Sequence, residues 1–205
     1  MELRGLMILI AVGGLFLISA GTAAAAPTVI DFESLGVSEI VDNQYLGVGA
    51  NFFGEAMALS ESAETVDAMW FPPYSGDKVI YDSDGEIRVD AVGSLWTSAG
   101  AYLTGNTDVI LTAYDMSWNV VGTSSIGGAN YVGAPSGIAP NEFVSVSGPG
   151  IAHLVFAGTT YWSGYTLDDL TFDVAGGVTA PAPGAVLLGG LGIGLVGWLR
   201  RRKMV

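Results

Sequence analysis

The chain has no cysteine, a single histidine and only 7 basic side chains among its 205 residues. Each scarcity removes a class of function. Without cysteine there is no disulfide framework, no thiolate metal site and no cysteine nucleophile. With His153 alone, a His-rich zinc centre lacks its ligands, and a Ser-His-Asp triad has one candidate base. Seven bases against 20 acids give a formal charge of -13, so nothing neutralises phosphates and nucleic-acid binding is excluded. Also missing are a Gly-x-Ser-x-Gly elbow, a phosphate loop, a dinucleotide fingerprint and an internal repeat. No window keeps a helical period for more than about two turns.

What is present is 30 glycines and a mean hydropathy of +0.50, too apolar for so acidic a chain unless the apolar residues are concentrated. They are concentrated at the two ends. Residues 1–25 open on Glu2 and Arg4, run apolar from Leu6 to Ile18 and finish in small residues. This is the layout of a secretory signal peptide, with Ala23 and Ala25 at the -3 and -1 places of signal peptidase cleavage. At the other end Pro181-Ala182-Pro183-Gly184 precedes an uncharged run, 184–199, and then Arg200-Arg201-Arg202-Lys203. As a helix that run spans about 24 Å against a hydrocarbon core of roughly 30 Å, so it spans with snorkelling flanks. The basic cluster then stays cytoplasmic and the intervening chain is exported. Its glycines suit a segment that is recognised and processed more than a permanent anchor.

Those three C-terminal features behind a signal peptide resemble the PEP-CTERM sorting signal of Gram-negative bacteria, over residues 179–205. The resemblance implies export, an inner-membrane intermediate, and processing by an exosortase-type transpeptidase on the way to the cell surface or extracellular matrix. Ala182 stands where that family usually has glutamate, so this is a Pro-Ala-Pro variant.

Between the ends, residues 26–178 read as one all-β ectodomain. Setting aside Glu2, Arg4, Arg200, Arg201, Arg202 and Lys203, which together carry +4, moves the formal charge from -13 to -17 and leaves Lys78 and Arg88 as the only bases. Short apolar or alternating runs separated by Gly, Pro, Asn and Ser predict a sandwich, jelly-roll-like in its number of strands. Ile87, Val89 and Ala91 alternate with Glu86, Arg88 and Asp90, and the Asp82–Gly85 turn predicts a hairpin of 78–82 with 86–92. Further strands are expected at 28–33, 51–59, 94–103, 108–116, 119–125, 142–147, 151–157 and 166–174, with 109–114 and 120–122 forming a second hairpin. Residues 60–69 fit a short helical turn or a solvated loop. The Val29–Glu33, Tyr45–Phe53, Phe71–Gly76 and Leu167–Phe172 segments resemble ectodomains often found before such a tail, which are similar to carbohydrate-binding-module or galactose-binding-like jelly rolls.

In jelly rolls of that kind the first and last strands lie side by side and hold a structural calcium, which needs six to eight oxygens. Asp31 and Glu33 share one strand face, and Asp169, in phase with Thr171 and Asp173, is the better partner than Asp168, in phase with Leu170 and Phe172. The Asp82–Glu86 run lacks the spacing of an EF-hand and reads as a turn. Loop aromatics Trp70, Tyr74, Tyr161, Trp162 and Tyr165 offer flat faces with polar edges for stacking on sugars. Trp96 and Trp118 read as core or hairpin packing, and His153 as a surface or partly buried strand residue. The expected function is non-catalytic: a surface or matrix module, with extracellular polysaccharide as the partner. The alternative is a secreted glycoside hydrolase using two of the many carboxylates.

Overall fold

The computed structural model describes residues 26–82, 85–160 and 164–174. The expected signal peptide, Tyr161, Trp162, Pro181, Ala182, Pro183, Gly184 and the Arg200–Arg202 cluster lie outside those residues. The described chain is an all-β, jelly-roll-like sandwich of two antiparallel sheets. Its strands in chain order are β1 (Thr28–Ile30), β2 (Ala50–Phe53), β3 (Met57–Ser60), β4 (Lys78–Tyr81), β5 (Glu86–Ala91), β6 (Trp96–Gly105), β7 (Val109–Tyr114), β8 (Val120–Ser125), β9 (Glu142–Ile151), β10 (His153–Gly158) and β11 (Tyr165–Val174). One sheet has the order β3-β4-β11-β6-β9, with β1 also on β11; the other has the order β2-β5-β10-β7-β8.

Period-two alternation drives the assembly. In β5, Ile87 and Val89 are fully buried while Glu86 is exposed, and in β7 Val109, Leu111 and Ala113 are buried while Ile110, Thr112 and Tyr114 are half-buried. Trp96, Phe52, Phe156, Phe172, Leu103 and Leu154 meet between the sheets in a single core. Edge-to-face contacts join Phe32 to Tyr45 and to Phe52, and Trp96 lies 4.7 Å from Phe172.

The β7–β8 hairpin forms as expected, with Ile110 opposite Ser125. The expected 78–82/86–92 hairpin does not. β4 pairs with β3 and β11, β5 with β2 and β10, and the turn-rich link carries the chain from one sheet to the other. Turn residues redirect a chain equally well into a hairpin or across a sandwich, so the local signal is the same. Likewise the expected strand 51–59 breaks at Gly54, φ +110°, into β2 and β3 on different sheets. Residues 61–77 form turns and bends without a helix, and they lie across the outer face of the six-stranded sheet. That cover explains why both Val79 and Ile80, on opposite faces of β4, are wholly buried.

Candidate functional site

The segment 61–77 is fastened along its length. The Ser60 hydroxyl donates to Asp77 Oδ2 at 2.6 Å, Ser62 N–H to Asp77 Oδ1 at 2.6 Å, and Ser60 N–H to Thr65 Oγ1 at 2.7 Å. The Ser60 and Ser62 donors hold the Asp77 carboxyl below its ordinary range. Farther on, Glu33 Oε1 accepts from the N–H groups of Asp77 and Lys78 at 2.9 and 2.8 Å, and Lys78 Nζ donates to the Glu33 carbonyl at 2.8 Å. Asp168 Oδ2 accepts from Tyr74 and Ser75 N–H at 2.8 and 3.0 Å, and Asp168 Oδ1 from Asp169 N–H at 2.7 Å. The Ser75 hydroxyl donates to Asp169 at 2.9 Å. Tyr74, about half exposed, lies flat on Tyr102 with ring centroids 3.4 Å apart. A hydrogen bond with Tyr74 is the main influence holding the Tyr102 phenol up to about 12.

At the end of the sheet where β4 finishes and β11 begins, this segment roofs two neighbouring hollows. The inner one, about 230 Å³, is floored by Leu59, Tyr81 and Thr166 and walled by Val66, Asp67 and Phe71. The outer, more open groove, about 450 Å³, is lined by Trp70, Phe71, Asn106, Tyr131 and Gly133. Phe71 and Asn106 line both. Trp70, 42% exposed, meets Tyr131 edge-on at 5.9 Å, and Phe71 meets the same ring at 6.4 Å. The two sides of the groove are locked together by Val132 N–H donating to the Trp70 carbonyl at 3.0 Å. Behind them, wholly buried Asn130 accepts from Gly105 N–H at 2.7 Å and donates to the Leu103 carbonyl at 2.8 Å. Tyr81, Thr166 and the exposed Asp67 all line the inner cavity, and their side-chain oxygens make no hydrogen bond among the described residues.

Of the expected sugar-stacking residues, the structure places Trp70 in the groove wall and Tyr74 a few residues along the same segment. Tyr165 is a correction: its side chain is wholly buried between the sheets, where its hydroxyl accepts from Ile87 N–H at 3.1 Å and donates to the Phe156 carbonyl at 2.8 Å. Burial pushes that phenol far up. Tyr131, Phe71, Asn106, Tyr81, Thr166 and Asp67 escaped the sequence reading. Tyr131 alone carried a detectable signal, an aromatic in a Gly/Pro-rich stretch like that of Trp70.

The carboxylates expected to hold calcium are placed as follows. The β1–β11 register, with Ile30 opposite Leu170, brings Asp31 and Asp169 close in the ladder. Asp31 accepts from Glu33 N–H at 3.2 Å, and Glu33 is engaged by the 77–78 backbone. Among the described residues no set of three or more Asp, Glu, His or Cys side chains is gathered so as to hold a metal ion. A bulge in β11 also changes the expected phase. Asp168 pairs with Tyr102 but Thr171 with Gly100, an extra residue on β11 taken up by Asp169 at φ +46°. Asp168 therefore turns away from the Leu170–Phe172 core side, outward beneath Tyr74 and Ser75.

A second aromatic cluster stands on the outer face of the five-stranded sheet. Trp118 is 48% exposed and stacks on His153 at 4.1 Å, His153 Nδ1 lies 2.8 Å from Asp90, and Arg88 sits over the Phe53 ring at 3.9 Å. Trp96 is core as expected, Trp118 caps its hairpin, and His153 is a partly buried strand residue.

The sequence matches no known family, and no curated protein matches it. Several solved structures share its outline. A DUF4465 family protein from Bacteroides caccae is 11% identical over 74% of this chain and 100% of its own, with a TM-score of 0.48. CsCBM6-3 from Clostridium stercorarium, solved with cellobiose, is 14% identical over 76% of this chain and 99% of its own, with a TM-score of 0.39. TmCBM61, solved with beta-1,4-galactotriose, is 8% identical over 66% and 98%, also with a TM-score of 0.39.

Proposed function

We propose that this chain is an exported, non-catalytic β-sandwich that binds neutral glycans in the cleft between the 61–77 and 126–141 segments, and that its C-terminal signal delivers it to the cell surface or matrix. The observation that carries the binding reading is the pairing of an aromatic-walled groove with a cavity lined by Tyr81, Thr166 and Asp67, whose side chains make no hydrogen bond among the described residues. Sugar rings present apolar faces to Trp70 and Tyr131, and their hydroxyls supply the donors and acceptors that Tyr81, Thr166 and Asp67 lack.

Charge supports the neutral class. The ectodomain's two bases are both engaged, Lys78 with the Glu33 carbonyl and Arg88 with Asp90 at 3.2 Å. Among the described residues no cationic side chain lines either hollow. Hydrolysis of a glycosidic bond uses two carboxyl groups, whereas Asp67 is the one carboxylate lining either hollow among the described residues. His153 stands on the other sheet.

The test is an array of neutral and anionic glycans probed with the full-length chain in mild detergent, beside a general glycosidase screen. Neutral glycans are retained, and Trp70→Ala and Tyr131→Ala each weaken retention at least about tenfold without a change in cooperative melting. Turnover without retention would reverse the order in favour of a hydrolase.

A further inference from the structure

We propose that the cleft recognises the end of a glycan chain, with the terminal sugar residue inserted in the inner cavity and the next residues lying along the Trp70–Tyr131 groove. The inference rests on the carbohydrate reading above and concerns the same site.

The inner cavity is small. At about 230 Å³ it falls below the roughly 300–1,000 Å³ of sites for drug-sized ligands, and so accommodates one ring. Its far side is the sheet itself, where Leu59 on β3, Tyr81 on β4 and Thr166 on β11 form the floor. A chain that enters from the groove ends there. An internal residue, which must continue in both directions, has only the outer groove.

The polar groups are placed for such an end. Thr166 is 4% exposed, yet its hydroxyl hydrogen-bonds to no protein group among the described residues. A hydroxyl so placed is left to a ligand or to water. The Tyr81 hydroxyl stands in the neighbouring strand, directly across from Thr166 in the β4–β11 register. Asp67, an exposed residue of the roof, lines the cavity mouth opposite them. Its backbone carbonyl already accepts from Trp70 and Phe71 N–H at 2.9 and 2.8 Å, which fixes the turn that carries it. A carboxylate only accepts, so its two oxygens suit adjacent sugar hydroxyls. With no cation in the cavity to balance it, Asp67 repels uronic and sulfated residues. The class that fits is an uncharged, hydroxyl-rich terminal sugar.

The probes are neutral homo-oligosaccharides of glucose, galactose, mannose and xylose, two to six residues long, with their parent polysaccharides, titrated calorimetrically into the full-length chain. End recognition gives one site per oligosaccharide and an affinity that levels off within about three residues. Each polysaccharide chain is then saturated by a single protein molecule. Thr166→Val, close in shape, and Asp67→Asn each lower affinity at least about tenfold for every length, and Tyr81→Phe is a third variant should either fold poorly. Affinity that climbs through six residues, many proteins bound per polymer, and indifference to these variants would overturn end recognition, while loss of binding in Trp70→Ala alone would leave the carbohydrate reading standing. Binding to none of the probes would overturn both. Equal retention of polygalacturonate would overturn the neutral class.

Discussion

Asp168 is subject to two opposed influences. Three backbone N–H groups favour its charged form, but burial is the larger effect and, with the neighbouring Asp169 charge, pushes the carboxyl up to about 6. An unfolded aspartate titrates near 3.9. Between those values the folded chain binds more protons than the unfolded one, so this residue's contribution is fully present below about pH 4 and is lost as pH rises through 6. The wild-type chain therefore melts higher at pH 5 than at pH 7, beyond what general charge repulsion supplies. Asp168→Asn keeps an oxygen for Tyr74 and Ser75 N–H and shows a flatter profile over that window; identical profiles would disprove the assignment. The sequence signalled the acid but not its surroundings, because the bulge at Asp169 reverses the alternation on which its phase was judged. Tyr165 was misjudged for a similar reason. An aromatic at a strand start, next to glycine, reads as a loop ring, and only the opposing sheet reveals that its hydroxyl ties Ile87 to Phe156. Trp70 was legible because its Pro-rich surroundings exclude it from a strand.

Strands were the most readable elements. β5 announces itself by strict alternation, β7 by a short run rich in apolar and β-branched residues, and the β7–β8 turn by Asp115, which accepts from Ser117 and Asn119 N–H at 2.8 and 2.9 Å. Beyond the β7–β8 hairpin and the side-by-side first and last strands, pairing was not readable, since β5 and β11 have strand neighbours from distant parts of the chain. The 61–77 cover was equally hidden, because its fastenings are long-range contacts to Glu33 and Asp168. Gly76 shows how tightly that cover is drawn. It has φ +56°, and a Cβ there would strike the Glu33 side chain that holds the next two N–H groups. Gly76→Ala is expected to cost about 2–4 kcal/mol, a backbone share of about 1–2 kcal/mol plus displaced hydrogen bonds, or roughly 2–4 °C in Tm per kcal/mol. Gly137→Ala, at φ +74° with open space around it, carries the backbone share alone. Equal melting shifts for the two variants would show that the Glu33 contact is slack.

Taken whole, the molecule joins a strongly acidic domain to ends of opposite character. Epitope tags before Pro181 and after Val205 separate in the native host if the tail is processed; both tags persisting on one membrane-bound chain would defeat the idea. The path of β11 would link the proposed delivery to the cleft mechanically. Thr166, at the start of the strand, floors the cavity, and the chain leaves the described fold at Val174, the strand's other end. Eight residue steps separate these points, about 26 Å of extended backbone. If the cleft holds a glycan and the C-terminus is anchored as proposed, tension between them runs lengthwise along β11, across ladder bonds that lie perpendicular to it, to β6 on one side and to β4 and β1 on the other. Loaded in shear, those bonds would share the force and fail together instead of unzipping singly, so on that proposal the strand that lines the cavity would also serve as the domain's tendon.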